Sequence, residues 1–146
     1  PATRERLKPE AQWEVERGLA LSAQDIHVAN VQRGDAYRAW SALFERFDYL
    51  AMPSAQVFPF DVETHWPREI AGSAMDTYHR WMEVVIPASM LGAPTISLPA
   101  GLNGAGLPIG FQLIGRPRDD WGVLQLARAF EKASGDLARL PPTLGE

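Results

Sequence analysis

The 146-residue sequence predicts an α/β fold, with short strands covered by helices, and three observations carry that prediction. Two apolar runs, Thr95–Leu98 and Ile109–Ile114, are bounded by Pro94, Pro99, Pro108 and Gly115, the punctuation of neighbouring buried strands. Between them Gly101, Asn103, Gly104 and Gly106 tolerate positive φ, so this stretch reads as a hairpin turn. Apolar side chains recur at helical spacing from Ile26 to Phe47 and again from Val123 to Phe130.

Taken in order, Pro9 to Ala20 reads as a first helix, with Pro9 in its first turn and Gly18 near its end. Trp13, Gly18 and Leu19 give it a thin apolar face, so it is expected at the periphery. Ser22, with Asp25 three residues on, forms a capping pair for a long amphipathic helix over residues 23–47, carrying Ala29, Ala36, Tyr37, Trp40, Leu43 and Phe44 on its stripe. Gly34 interrupts it at a cost of about 1 kcal/mol, and His27 beside the stripe reads as solvated. Tyr49–Met52 is a short strand ended by Pro53. Residues 54–72 show no sustained period and read as a long irregular connection. Within it Asp61, Glu63 and His65 alternate, which would line them up as hard-metal ligands only if the segment were extended. A solvated polar loop explains the same letters, and no metal is expected.

Ser73 is expected to cap a helix from Ala74, with Asp76 at the third position and Tyr78, Trp81, Met82 and Val85 on its apolar side. Pro87 opens a second short helix, closed by Gly92. Gln112, between Phe111 and Leu113, is expected to be buried and to satisfy backbone groups of a neighbouring segment. Asp119 caps a last helix to about Ser134, with Val123, Leu124, Leu126, Ala127 and Phe130 inward and Gly135 ending it; Leu137–Glu146 reads as a tail.

Size and composition bound the function. A chain of this length buries about two-thirds of its unfolded surface, enough for one domain spanning residues 1–146. The net charge of −4 argues against nucleic acid, since Arg4, Arg6 and Lys8 form the one basic cluster. The absence of cysteine excludes disulfides and thiolate metal sites and fits a cytoplasmic location. No apolar run is long enough to span a membrane, and none has the form of an export signal. The sequence begins at Pro1 with no Met, as expected of a cut piece or a processed fragment, or of a chain that simply lacks its first residues.

The string GAPTISLPAG, followed by GLPIGFQLIGRP and WGVLQLARAFE and preceded by FDYLAMPSA, resembles the C-terminal portion of amidase-signature hydrolases over roughly Leu19–Glu131. The resemblance implies strands of a mixed sheet covered by helices and, in the complete enzyme, hydrolysis of a small-molecule carboxylic amide without a cofactor. It also implies a serine nucleophile activated through a second serine and a lysine. Those residues are absent here: the single Gly-Ser step is Gly72-Ser73, and the lysines Lys8 and Lys132 lie in charged helical contexts. No catalytic residue is therefore expected in this chain. The connection after the first strand borders the family's substrate funnel, which makes Phe58, Phe60 and Trp66 candidate substrate-contacting residues, the alternative being that these aromatics merely pin the loop to the body; Trp81 and Met82 on the following helix are expected to extend the same apolar substrate wall. Ser89 stands where the family commonly has Asn, and no role is carried over to it.

Capping explains Ser73 better than independent catalysis with Asp76 and His79 does, because no nucleophile elbow surrounds it. The turn GLNGAG lacks the lysine and the following helix of a phosphate cradle. The chain thus reads as one wall of an amidase, silent alone and prone to self-associate or to pack on a missing N-terminal part. The alternative is a free-standing ligand- or protein-interaction module descended from an amidase.

Overall fold

The computed structural model describes residues 4–135; the expected tail lies outside them. The chain divides between Ala39 and Trp40 into two compact units. The first holds a 3₁₀ turn (Arg4–Arg6), helix α1 (Pro9–Ala20) and most of helix α2 (Ala23–Leu43). An Arg4–Glu16 ion pair of 3.0 Å and the Arg17 guanidinium over the Trp13 ring bind the turn and α1 internally. Leu19, 76% exposed, confirms that the α1 face is thin.

The α2 cap forms as expected. Ser22 Oγ accepts from Asp25 N at 3.2 Å, while Asp25 Oδ2 accepts from Ser22 N at 2.9 Å, so an aspartate replaces the usual glutamate. Helix α2 stops at Leu43, four residues short of the expected end, because its last turn tightens to i→i−3 bonds at Phe44, Glu45 and Arg46. That turn seats Phe44 in the core. Trp40 packs beside it, whereas Ile26 and Tyr37 on the stripe, and Val28 and Val31 next to it, are exposed.

The second unit is built on a three-stranded sheet in the order β1 (Leu50–Pro53), β5 (Pro108–Ile114), β4 (Thr95–Leu102), with both pairings antiparallel. Ile114 lies opposite Leu50 on one side and Thr95 on the other. Strand β4 runs through Pro99, where the sequence suggested a stop. It is an edge strand, so a residue without an N–H is tolerated, and the register shift around Ala100 absorbs the irregularity. Asn103 closes the β4–β5 hairpin by accepting through Oδ1 from Ala105 N and Leu107 N.

Alternation divides the sheet into two buried faces. Leu98, Leu113, Ile96 and Phe111 pack under Val123, Ala127 and Phe130 of helix α4 (Asp120–Ser134). The opposite face carries Ile114, Leu50 and Met52 against Phe44, Trp40 and Ala88, the last in helix α3 (Ile86–Leu91). Ile114 is 0% exposed. Helix α4 is capped by Asp119, whose carboxylate accepts from Gly122 N at 3.1 Å, and Gly135 ends it with φ 66°. Leu124 and Leu126, expected inward, are exposed because the α4 contact is a narrow stripe through Val123, Ala127 and Phe130. Pro87 and the left-handed Gly92 bound α3 as expected.

The largest correction lies between residues 66 and 80. Ser73 does not cap a helix. It pairs with Ile70 in a hairpin of β2 (Glu69–Ile70) and β3 (Ser73–Ala74), within what the sequence presented as irregular connection and helix start. Ala71 and Gly72, with φ 49° and 80°, form the two-residue turn whose twist suits a hairpin, but Ala in place of Asn or Asp hides the signal. The helix starts later, as a 3₁₀ helix over Arg80–Val85.

Two expected outcomes follow from these contacts. Asp25's carboxyl is held below its ordinary value of 3.8 by its hydrogen bonds to the Ser22 hydroxyl and amide. Its capping contribution is therefore present above that value and lost as pH falls through the lower folded-state value. Amide exchange at Ser22 and Asp25 should accelerate there, and Asp25→Asn should flatten the dependence. At buried Gly115 a Cβ would collide with Val123 Cγ2, so Gly115→Ala should cost about 1–3 kcal/mol, read as a lower urea midpoint.

Candidate functional site

The connection leaving β1 stays on the sheet. Ser54 N donates to Gly110 O at 3.0 Å, and an added Cβ at Gly110 would stand 2.6 Å from Ser54 Oγ and 3.0 Å from Leu98 O, so glycine permits the crossing. Beyond it Val57, Phe58 and Phe60 face Trp81, Pro108 and Ile109 across an apolar groove of about 240 Å³. No ionisable side chain lines it. Three of the five expected substrate-contacting residues, Phe58, Phe60 and Trp81, therefore meet at one surface; Trp66 and Met82 do not line it.

A series of edge-to-face rings supports the groove. Phe60 meets Trp81 with centroids 5.6 Å apart at 82°, Trp81 meets Tyr78 at 6.3 Å and 77°, and Tyr78 meets Trp66 at 5.8 Å and 81°. In this arrangement the positive rim of one ring meets the negative face of the next, worth about 0.5–1.5 kcal/mol per pair beyond burial. Trp66 Nε1 donates to Met75 O at 3.3 Å, and the Arg68 guanidinium caps its ring 3.8 Å from the centroid. Trp66 is thus the far anchor of the series, tying it to the β2–β3 hairpin. The Trp81 indole N–H is buried with no partner among the described residues.

Two glutamines place the 3₁₀ helix that carries Trp81. Gln112, 3% exposed, donates through Nε2 to Pro53 O and Val84 O, both at 2.9 Å. Gln56 Oε1 accepts from Val84 N at 3.0 Å. The backbone groups that Gln112 satisfies therefore belong to two other segments of this chain. Its position between two apolar strand residues signalled that role; nothing near Gln56 signalled its own.

The polar candidates stay apart from the groove. Asp61, Glu63 and His65 lie in turns, with Asp61 Oδ1 accepting from Glu63 N, so the extended geometry that would align them does not form. Among the described residues no cluster of three His, Asp or Glu is placed to hold a metal. Ser73 lies in β3 and Asp76 faces Arg80 at 3.5 Å, so Ser73, Asp76 and His79 do not share a helix face. Ser89 Oγ donates to the carbonyl of Val85, the residue that precedes its own helix. The site offers an apolar, aromatic wall and no proton-transfer group.

A two-faced α/β sheet carrying a ring-walled groove on its hairpin is the class of structure these residues define. The family model described as Amidase matches residues 2–124, and the chain belongs to the amidase-signature family. It is similar to a glutamyl-tRNA(Gln) amidotransferase component from Rhizorhabdus wittichii, 36% identical over 125 residues, which cover 83% of this chain and 24% of that protein. It is also similar to the fatty acid amide hydrolase of Medicago truncatula, 46% identical over 126 residues, 85% of this chain and 20% of that one. A solved bacterial aryl acylamidase of the amidase signature family superposes with a TM-score of 0.76 at 29% identity, over 87% of this chain and 26% of its own. The chain thus spans about a quarter of the length of these relatives, in agreement with the expected C-terminal portion of an amidase.

The ring series yields a paired expectation. Trp81→Phe keeps a ring against Phe60 and removes the orphaned N–H, so stability should change by less than about 1 kcal/mol. Trp81→Ala should cost about 3–5 kcal/mol. Urea unfolding of both variants checks the contrast.

Proposed function

We propose that this chain is the substrate-wall portion of an amidase that hydrolyses the C–N bond of small carboxylic amides bearing a flat apolar group. The groove between Phe60, Trp81 and Ile109 carries this reading: its lining offers shape and dispersion to an apolar ligand and no group that could move a proton. Chemistry then falls to the serine, second serine and lysine that family membership implies and this sequence lacks. The aryl acylamidase and fatty acid amide hydrolase likenesses favour an apolar substrate group.

Phe58, Phe60 and Trp81 would touch that group directly, while Trp66 and Met82 would support the wall from behind. No helix among the described residues is long and apolar enough to cross a membrane, and the cysteine-free composition favours the cytoplasm. The exposed Ile26, Val28, Val31 and Tyr37 favour packing on further polypeptide, or self-association when the chain is alone. The outer edges of β1 and β4, unpaired among the described residues, favour the same.

The test has two arms. The purified 146-residue chain should release no amine or ammonia from aryl, fatty acyl or simple amides. In a polypeptide continuous with the serine and lysine part, Trp81→Ala should raise KM for an aryl amide about tenfold and leave acetamide nearly unchanged, a loss of about 1.4 kcal/mol confined to the ring contact. Amide turnover by the isolated chain, or equal effects on both amides, would overturn the reading.

A further inference from the structure

The β4–β5 hairpin tip carries chemistry that the groove does not use. Asn103 precedes Gly104, and the turn holds the asparagine side chain in a defined place. Its Oδ1 accepts from Ala105 N and from Leu107 N, both at 2.9 Å. The backbone is closed by Asn103 N donating to Leu107 O and Gly106 N donating to Asn103 O, also at 2.9 Å. Gly104 N and Asn103 Nδ2 donate to no group among the described residues, and Gly104 is exposed with open space around its Cα.

Two N–H donors on a side-chain carbonyl polarise it and stand ready for the charge that develops when a nucleophile adds to its carbon. The adjoining nucleophile is the amide nitrogen of Gly104, unhindered because glycine has no Cβ. We propose that Asn103-Gly104 is a site of self-catalysed deamidation, in which the turn supplies an oxyanion site for its own asparagine.

Gly104 N loses its proton to solvent and bonds to Asn103 Cγ. The resulting oxyanion at Oδ1 is held by the Ala105 and Leu107 amides. The Cγ–Nδ2 bond then breaks, Nδ2 taking a proton from solvent and leaving as ammonia, and a succinimide remains between residues 103 and 104. Water adds at either ring carbonyl, leaving aspartate or isoaspartate at position 103. Each turnover takes in one water, releases one ammonia and needs no other reactant. The isoaspartyl product lengthens the backbone by a methylene within the turn that leads into Pro108 and Ile109, residues that line the groove.

Asn30 provides an internal comparison. It is followed by the β-branched Val31, sits within α2 and donates through Nδ2 to Ile26 O at 3.1 Å. The full 146-residue chain is incubated at neutral pH, folded and in denaturant, and acid products at both asparagines are followed by peptide mass spectrometry and isoaspartyl methyl-acceptance. The product at Asn103 should form faster in the folded chain than in the unfolded one, while Asn30 stays intact in the folded chain. Ala105→Pro, which removes one donor to Oδ1, should slow it about tenfold. Gly104→Val should nearly abolish it without touching either donor. Slower product formation in the folded chain than in denaturant, or a rate at Asn103 indifferent to both variants, overturns the proposal.

Discussion

The structure depends on one buried amide. Gln112 sits on the central strand with its Nε2 donating to Pro53 O at the end of β1 and to Val84 O in the 3₁₀ helix, so three segments far apart in sequence meet at one nitrogen. Replacing it by an apolar residue would leave two partly buried carbonyls without this donor, each costing about 1–3 kcal/mol, about twice what an ordinary hydrogen bond contributes. Gln56 completes the clamp from the opposite direction by accepting from Val84 N. Trp81 owes its place beside Phe60 to this clamp, and the groove owes its wall to Trp81.

Close backbone approaches complete the frame. Gly110 lets the connection after β1 cross the sheet edge, and Gly115 lets α4 settle onto the end of β5. These two glycines flank the C-terminal half of β5, which serves two faces at once: Leu113 and Phe111 toward α4, Ile114 and Gln112 toward α3 and the 3₁₀ helix. An ion pair of 3.1 Å between Arg116 and Asp48 ties its exit to the entry of β1. That bond is exposed and worth little, whereas the apolar packing around Ile114 removes whole side chains from water.

Membership of the amidase-signature family and a span of about a quarter of its relatives' length accompany a groove lined by apolar and aromatic side chains with no ionisable group among them. An aromatic wall discriminates among substrates by shape and contact area, and a methylene or ring in such a site changes binding by only a few kcal/mol. Bond cleavage requires a nucleophile, a base and oxyanion donors held together.

Local chemistry was legible wherever one residue type decides a backbone state. Pro9, Ser22 with Asp25, Pro87 with Gly92, Asp119 with Gly135 and the Asn103 turn all stand where the letters place them, because caps and turns are settled by neighbours within four residues. The aromatic residues of the groove were also visible as candidates. Partnership was not. The Ala71-Gly72 turn hides its hairpin behind an untypical alanine, α2 ends at Leu43 because Phe44 is drawn into the core, and Leu124 and Leu126 face outward because the sheet offers α4 only a narrow stripe. Trp66 separates from Phe60 and Trp81 for the same reason: which rings share a surface depends on how the β2–β3 hairpin and the Gln112 clamp bring distant segments together. The sequence alone determined the elements and their caps; tertiary structure decided which faces meet, since burial is a property of pairs of segments and no single segment encodes it.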